Sequence, residues 1–356
     1  MTLLLGATLV LAALAAFLGR AAPVFLHAYL LAWLLWLGVA LGGFVFLCVH
    51  HLVRGRWGDI VRPLLSAMTR TIPLLALLFL PIVLDLAVLY PWTDLAWLHA
   101  APLRAAKAAY FDAAFFLARA VVILVAWSAL ALRLARPGRR PGLAAFALVV
   151  FFVTVTFAAV DWVLSLDPDT STSAFGLALA TGHAVAGWSV VLIAAACLQG
   201  RSARAAHIAP ERAQELGTLL FAALMLWGYI AFSQYLLVWG ADLPREVGWF
   251  LPRLRGTWGL VAWSLVGLHF AVPFVLLLQR PIKRAPGRLA AVAALLLAMH
   301  YVELLWLVVP SRALAFGWLD LAVPLGLGAL WALACVRLLG RSGPIVAAPE
   351  EDTLHV

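Results

Sequence analysis

Nine strongly polar side chains fall inside otherwise apolar stretches of this chain: Asp85, Asp112, Arg119, Asp161, His183, Gln234, His269, His300 and Glu303. A charged group in a bilayer costs about 2.5–3.5 kcal/mol on insertion scales, so each demands a partner, water or a function. Asp85, Asp161 and Glu303 are expected in one half of the membrane, with Arg119 and His269 nearer its middle. His300 and Glu303, three residues apart, share one face of a helix and are within reach of a hydrogen bond. Asp161, Arg119, His269, Glu303, Asp85 and His300 are therefore candidates for a polar path, either conducting protons from mid-membrane to one side or lining a site for a quinol headgroup.

Plainer readings carry equal weight. Arg119 can serve only as a counter-ion for Asp161 or Glu303, because a buried ion pair is weak evidence of function. Asp112 stands near a helix start and reads as solvated. Lone membrane histidines usually hydrogen-bond between helices; a bis-histidine haem drawing on two of His183, His269 and His300 is the less favoured alternative.

These residues need long apolar elements to hold them. The chain has 356 residues, 65% hydrophobic and 12% charged, against roughly a quarter charged in a soluble domain. Windows of about 20 apolar residues predict ten spans, at 2–19, 24–49, 72–90, 108–134, 143–166, 174–200, 216–239, 256–279, 289–309 and 319–338. Lipid-exposed backbone must bond internally, and runs this long exceed a barrel strand, so the expected fold is an all-α polytopic membrane bundle. Residues 1–340 form one transmembrane domain on this reading, 2–19 is a span and not a cleaved signal, and 341–356 is a disordered tail.

The net charge of +9 would suit a nucleic-acid partner if the cations were clustered on a domain. They lie in loops. Seventeen Lys and Arg fall in the even-numbered loops and the tail against seven in the odd loops, which places both termini in the cytoplasm. Trp92, Trp97, Trp249, Trp258 and Trp318 then fall at the outer ends of spans, as an aromatic belt. The segment Arg56–Arg70 gathers Ile60, Leu64, Leu65 and Met68 on one face, the pattern of a helix lying along the inner surface. Cys48, Cys197 and Cys335 stand singly, without metal or haem spacing or an expected disulfide.

One stretch concentrates acids between two spans: DWVLSLDPDTSTSAFG, Asp161–Gly176. Asp161 sits about 9 Å, six helical residues, below Asp167 and needs a partner. Asp167 precedes Pro168, which favours ending the helix. Asp169 and the hydroxyl run are expected to cap the next helix. No phosphate loop, dinucleotide fingerprint or nucleophile elbow is present.

The same stretch carries a resemblance. DWVLSLDP followed by STSAFG resembles the signature of the F subunit of alternative complex III, the bacterial quinol:cytochrome c oxidoreductase. Segments such as LMLWGYIAFSQYLLVWGADLPREVGWFLPR, GLHFAVPFVLLL and MHYVELLWLVVP are similar to that family's later helices in order and spacing, and the similarity runs from about Leu37 to Pro310. The chain departs from the pattern at Asp169 and Thr170, where the family has an aromatic and a histidine, and at His300 and Glu303, where arginine and aspartate are expected. The resemblance implies a polysulfide-reductase-type anchor of two four-helix bundles plus two helices. It implies no haem, cluster or metal of its own, and neighbours comprising a related quinol-binding membrane subunit, an iron–sulfur protein and haem c proteins. It also implies a bacterial inner-membrane location and a part in proton translocation. A quinol-binding anchor of an iron–sulfur or molybdopterin oxidoreductase and a stand-alone transporter are the alternatives.

Overall fold

The computed structural model describes residues 22–340 apart from 54, 56, 171, 173, 200–207 and 312–315. The predicted span at 2–19 and the tail at 341–356 lie outside the described residues. Within them there is no strand, and nine helices are long and apolar enough to cross a membrane. The chain is an all-α polytopic bundle.

Helix α1 (Ala22–Leu52) is its axis. Its apolar residues run all round, so no face is left for water, and a helix of that kind belongs in a core. Nearly all of its central stretch is buried. Around it pack α2 (Trp57–Thr69), α4 (Pro141–Trp162), α5 (Phe175–Leu198) and α10 (Leu319–Gly340). Further out stand α3 (Ala113–Leu134) and α6 (Pro210–Ala241). Helix α7 (Gly256–Ser264) runs through a π-helical turn at Leu265–Ala271 into α8 (Val272–Leu278), and α9 (Pro286–Val308) packs on α5.

Where α1 and α5 cross, two glycines let the backbones meet. A Cβ on Gly42 would lie 2.1 Å from the His183 carbonyl oxygen, and one on Gly187 would lie 2.7 Å from the Gly42 carbonyl carbon. Small residues at such a crossing maximise packing where lipid gives no hydrophobic drive.

The third span differs from expectation. The structure places it at Ile60–Leu84, not at 72–90. The segment expected on the membrane surface is α2, the first half of this span: Val61, Leu64, Leu65 and Met68 are buried, and Met68 packs beside Gly43 of α1. The apolar face was read correctly, but it meets a helix and not lipid. Its charges are accommodated at the end of the bundle, where Arg62 and Arg70 donate to the carbonyls of Gly138 and Ala135 at 3.1 and 2.7 Å.

Beyond Thr71 the span breaks into short helices, Ile72–Leu77, Leu80–Leu84 and Leu86–Leu89. The amides of Phe79 and Ile82 donate three residues back, to Ala76 and Phe79. That shift frees the carbonyls of Leu75 and Leu78, which accept instead from Trp33 Nε1 at 2.8 Å and Tyr29 Oη at 2.6 Å. Side chains of α1 thus satisfy backbone groups that a bilayer would leave unpaired.

Two residues of the expected aromatic belt are core. Trp92 is buried against Phe111 and Phe116, and Trp249 is buried against Phe175 and Trp306. Trp318 is exposed.

Candidate functional sites in the bundle

The candidate path residues separate into two groups. The first joins α3 to α4. Arg119 Nε and Nη2 donate to the two carboxylate oxygens of Asp161 at 2.8 and 2.9 Å, a fork-to-fork pair. Asp161 is 1% exposed. Nη2 also donates to the Tyr110 carbonyl at 3.1 Å. The guanidinium stacks over the Tyr110 and Phe115 rings, 4.0 and 4.2 Å from their centroids, and the Tyr110 hydroxyl bonds to Asp161. Because α3 begins at Ala113, five residues later than expected, Arg119 lies in its second turn, at the level of Asp161 and not below it. Asp112 is the exposed N-cap of α3, accepting from the Phe115 amide at 2.8 Å.

The turn that follows α4 is tied down from the other side. Arg104 donates to both oxygens of Asp169 at 2.9 and 3.0 Å, and Lys107 Nζ donates to the carbonyls of Pro168 and Thr170 at 2.7 and 3.0 Å. Asp169 therefore does not cap α5, whose N-cap Ala174 has no side-chain bond. Burial pushes the Asp167 carboxyl above its usual range, opposed by Arg253. Arg253 is itself 1% exposed, and burial pulls its guanidinium down to about 10. It is held by the Trp249 and Leu307 carbonyls at 2.7 and 2.8 Å and by stacking 3.7 Å over the Trp249 ring. In the sequence Arg253 looks like any other loop cation; only folding buries it.

The second group lies where α5, α6, α9 and the π-helical turn meet. His183 Nδ1 is 3.2 Å from His300 Nε2, and His300 Nδ1 is 2.9 Å from Glu303 Oε2. Trp227 Nε1 donates to Glu303 Oε1 at 2.8 Å. The His269 ring lies 4.0 Å from Trp227, centroid to centroid, at 30°. His269 and His300 are both 0% exposed. Neither nitrogen of His269 has a hydrogen-bond partner among the described residues.

Local sequence explains how the parts meet. Residues three apart on α9 bring His300 to Glu303. Gly182 leaves room for them, since a Cβ there would lie 2.9 Å from His300 Cε1 and 3.0 Å from Glu303 Oε2. The π turn changes the winding of the helix around His269, a distortion common at functional sites.

Chemically, this group can hold a proton in more than one place. A neutral imidazole has one donor and one acceptor nitrogen. With His300 Nδ1–H donating to the Glu303 carboxylate, His300 Nε2 accepts from His183 Nδ1–H. With His300 doubly protonated, it donates in both directions. One proton can thus be held on either the imidazole or the carboxylate without moving a heavy atom. The direct contact of the two rings, perpendicular with centroids 5.3 Å apart, makes them hydrogen-bond partners and not ligands on opposite faces of a haem. No cluster of three or more His, Cys, Asp or Glu with metal-holding geometry occurs among the described residues.

The structure therefore brings together His269, His300 and Glu303 and, apart from them, Arg119 and Asp161. Asp85 belongs to neither: it is half-exposed at the joint between Leu80–Leu84 and Leu86–Leu89, with φ −140° and ψ 51°. His183 had no mark in the sequence beyond being a membrane histidine beside a glycine, and Trp227 had none among sixteen tryptophans. No family model matches the chain, and no curated protein matches it.

Proposed function

We propose that this chain is an integral membrane subunit, without a redox cofactor of its own, of a bacterial respiratory quinol:cytochrome c oxidoreductase of the alternative complex III type. In that role it supports assembly beside a quinol-binding membrane subunit, an iron–sulfur protein and haem c proteins, and takes part in proton movement coupled to quinol oxidation. The signature at Asp161–Gly176 and the order of the later helices support the membership. The arginine-rich loops support an inner-membrane orientation with both termini in the cytoplasm.

The single observation that carries the proton role is the buried chain His183–His300–Glu303, with Trp227 fixing the carboxylate and His269 packed against the Trp227 ring. A buried, nearly inaccessible imidazole pair suits proton exchange better than a quinol headgroup, which needs an open, lipid-accessible cleft.

The test has two arms. Affinity-purified full-length protein from native membranes is expected to bring with it haem c and iron–sulfur subunits; their absence refutes membership. Glu303→Gln is expected to leave that assembly intact and to lower protons released per electron. Unchanged coupling removes the proton role while leaving membership in place.

A further inference from the structure

At the end of the bundle opposite the Asp161 turn, six arginines meet. Arg62 and Arg70 come from α2, Arg133 from the last turn of α3, and Arg136, Arg139 and Arg140 from the α3–α4 connection. Four of them are tied to backbone oxygens. Arg62 donates to Gly138 and Arg70 to Ala135. Arg139 donates to the carbonyls of His51 and Leu52 at 3.1 and 2.9 Å, and Arg140 to that of Arg133 at 3.1 Å. These bonds close the free carbonyl ends of α1 and α3, and Gly138, at φ 93°, supplies the tight turn between α3 and α4.

None of the six has an ion-pair partner among the described residues. Arg133 and Arg136 are exposed and spend no guanidinium donor on the protein. Arg133 lies in the last turn of α3 and Arg136 just beyond its C-cap Ala135, so both stand at the same end of that helix. Below them α3 exposes apolar surface, Ala129 and Val122 on the face of Arg133 and Val121, Val125 and Leu132 beside it, with Phe146 and Val149 exposed on the antiparallel α4. Cations at the end of a helix, above apolar surface of lipid depth, match a molecule with an anionic head and hydrocarbon tails.

We infer that Arg133 and Arg136, framed by Arg62, Arg70, Arg139 and Arg140, form a binding site for the phosphodiester head of an anionic phospholipid whose acyl chains lie along α3 and α4. The tied arginines contribute field and hold the turn. Arg133 and Arg136 make the direct contacts. The inference is independent of the redox role proposed above.

The site is tested with the detergent-purified full chain and native mass spectrometry during titration with dioleoylphosphatidylglycerol. Wild type is expected to retain that lipid in preference to dioleoylphosphatidylcholine. The double variant R133Q/R136Q should bind it roughly 30-fold more weakly, the loss expected for two cations at an anionic interface. It should unfold at the wild-type temperature in neutral detergent, since neither guanidinium holds the fold together. Equal retention of both lipids, or unchanged phosphatidylglycerol binding by the double variant, overturns the inference. Competition by millimolar inorganic phosphate points to a free-anion site and overturns it too. Loss of a co-purifying subunit without loss of lipid makes this face a protein contact instead.

Discussion

The two buried polar groups answer the same problem, an acid within an apolar bundle, in opposite ways. Asp161 is closed off by a fork of guanidinium bonds, a phenol and two aromatic faces. Arginine does not release its proton in a protein, so the pair holds one charge state and joins α3 to α4. Glu303 instead faces an imidazole that is bonded to a second imidazole, and near it lies His269, whose nitrogens are unpartnered. That group has more than one way to place its protons. Burial alone does not distinguish a strut from a switch; the identity of the cation does.

Breaking the strut should have the largest effect. Asp161→Asn leaves a buried guanidinium uncompensated and is expected to cost about 3–5 kcal/mol, whereas the paired replacement Arg119→Met with Asp161→Leu should recover most of it. Thermal unfolding of the purified variants in detergent measures both. A wild-type melting temperature for Asp161→Asn would mean that the pair does not bind the helices together.

Glu303→Gln should cost less, about 1–3 kcal/mol, because the amide keeps an acceptor for Trp227 while losing the charge-assisted bond to His300. Its main consequence is functional, on proton release. Should it destabilise the protein as severely as Asp161→Asn, the contrast between strut and switch collapses.

Gly182→Ala probes the same group through space. The added methyl must displace His300 or Glu303, and an overpacked site of this kind costs about 1–3 kcal/mol. Proton-linked activity should fall with little change in subunit composition; normal activity would show that the His300–Glu303 contact is not required.

The smallest effect belongs to the loop. Burial raises the Asp167 carboxyl, so the folded state holds this proton more tightly than the unfolded chain. Its charge therefore weighs against folding once pH exceeds the folded pKa. Asp167→Asn should stabilise slightly at neutral pH, on the order of 0.5 kcal/mol, and the gain should vanish as pH falls through the acid range. Melting temperatures at pH 7 and pH 4 compare the two; a gain that persists or grows at pH 4 would reverse the assigned sign.

How much of this was legible differs by element. The spans from α4 onward fall close to their expected bounds, because apolar length is a property of the chain itself and lipid leaves the backbone no alternative to a helix. The third span begins earlier than expected because the one-sided apolar face at 60–68 reads equally well as a surface helix, and the acceptors of Arg62 and Arg70 come from the distant α3–α4 turn. His300 and Glu303 were paired by spacing. His183 joins them across 117 residues of chain, and nothing local announces that.

By itself, then, the sequence determined that this is a helical membrane protein, roughly where its helices run, and that several acids and histidines must be sheltered inside it. Composition and periodicity suffice for that, since they govern each segment's transfer from water to lipid. Only the tertiary structure decided which polar groups meet. Pairing depends on the rotation and depth of each helix against its neighbours, set here by close contacts such as Gly42 with Gly187 and Gly182 with His300. Those contacts gave Arg119 to Asp161 and left Glu303 to the histidines.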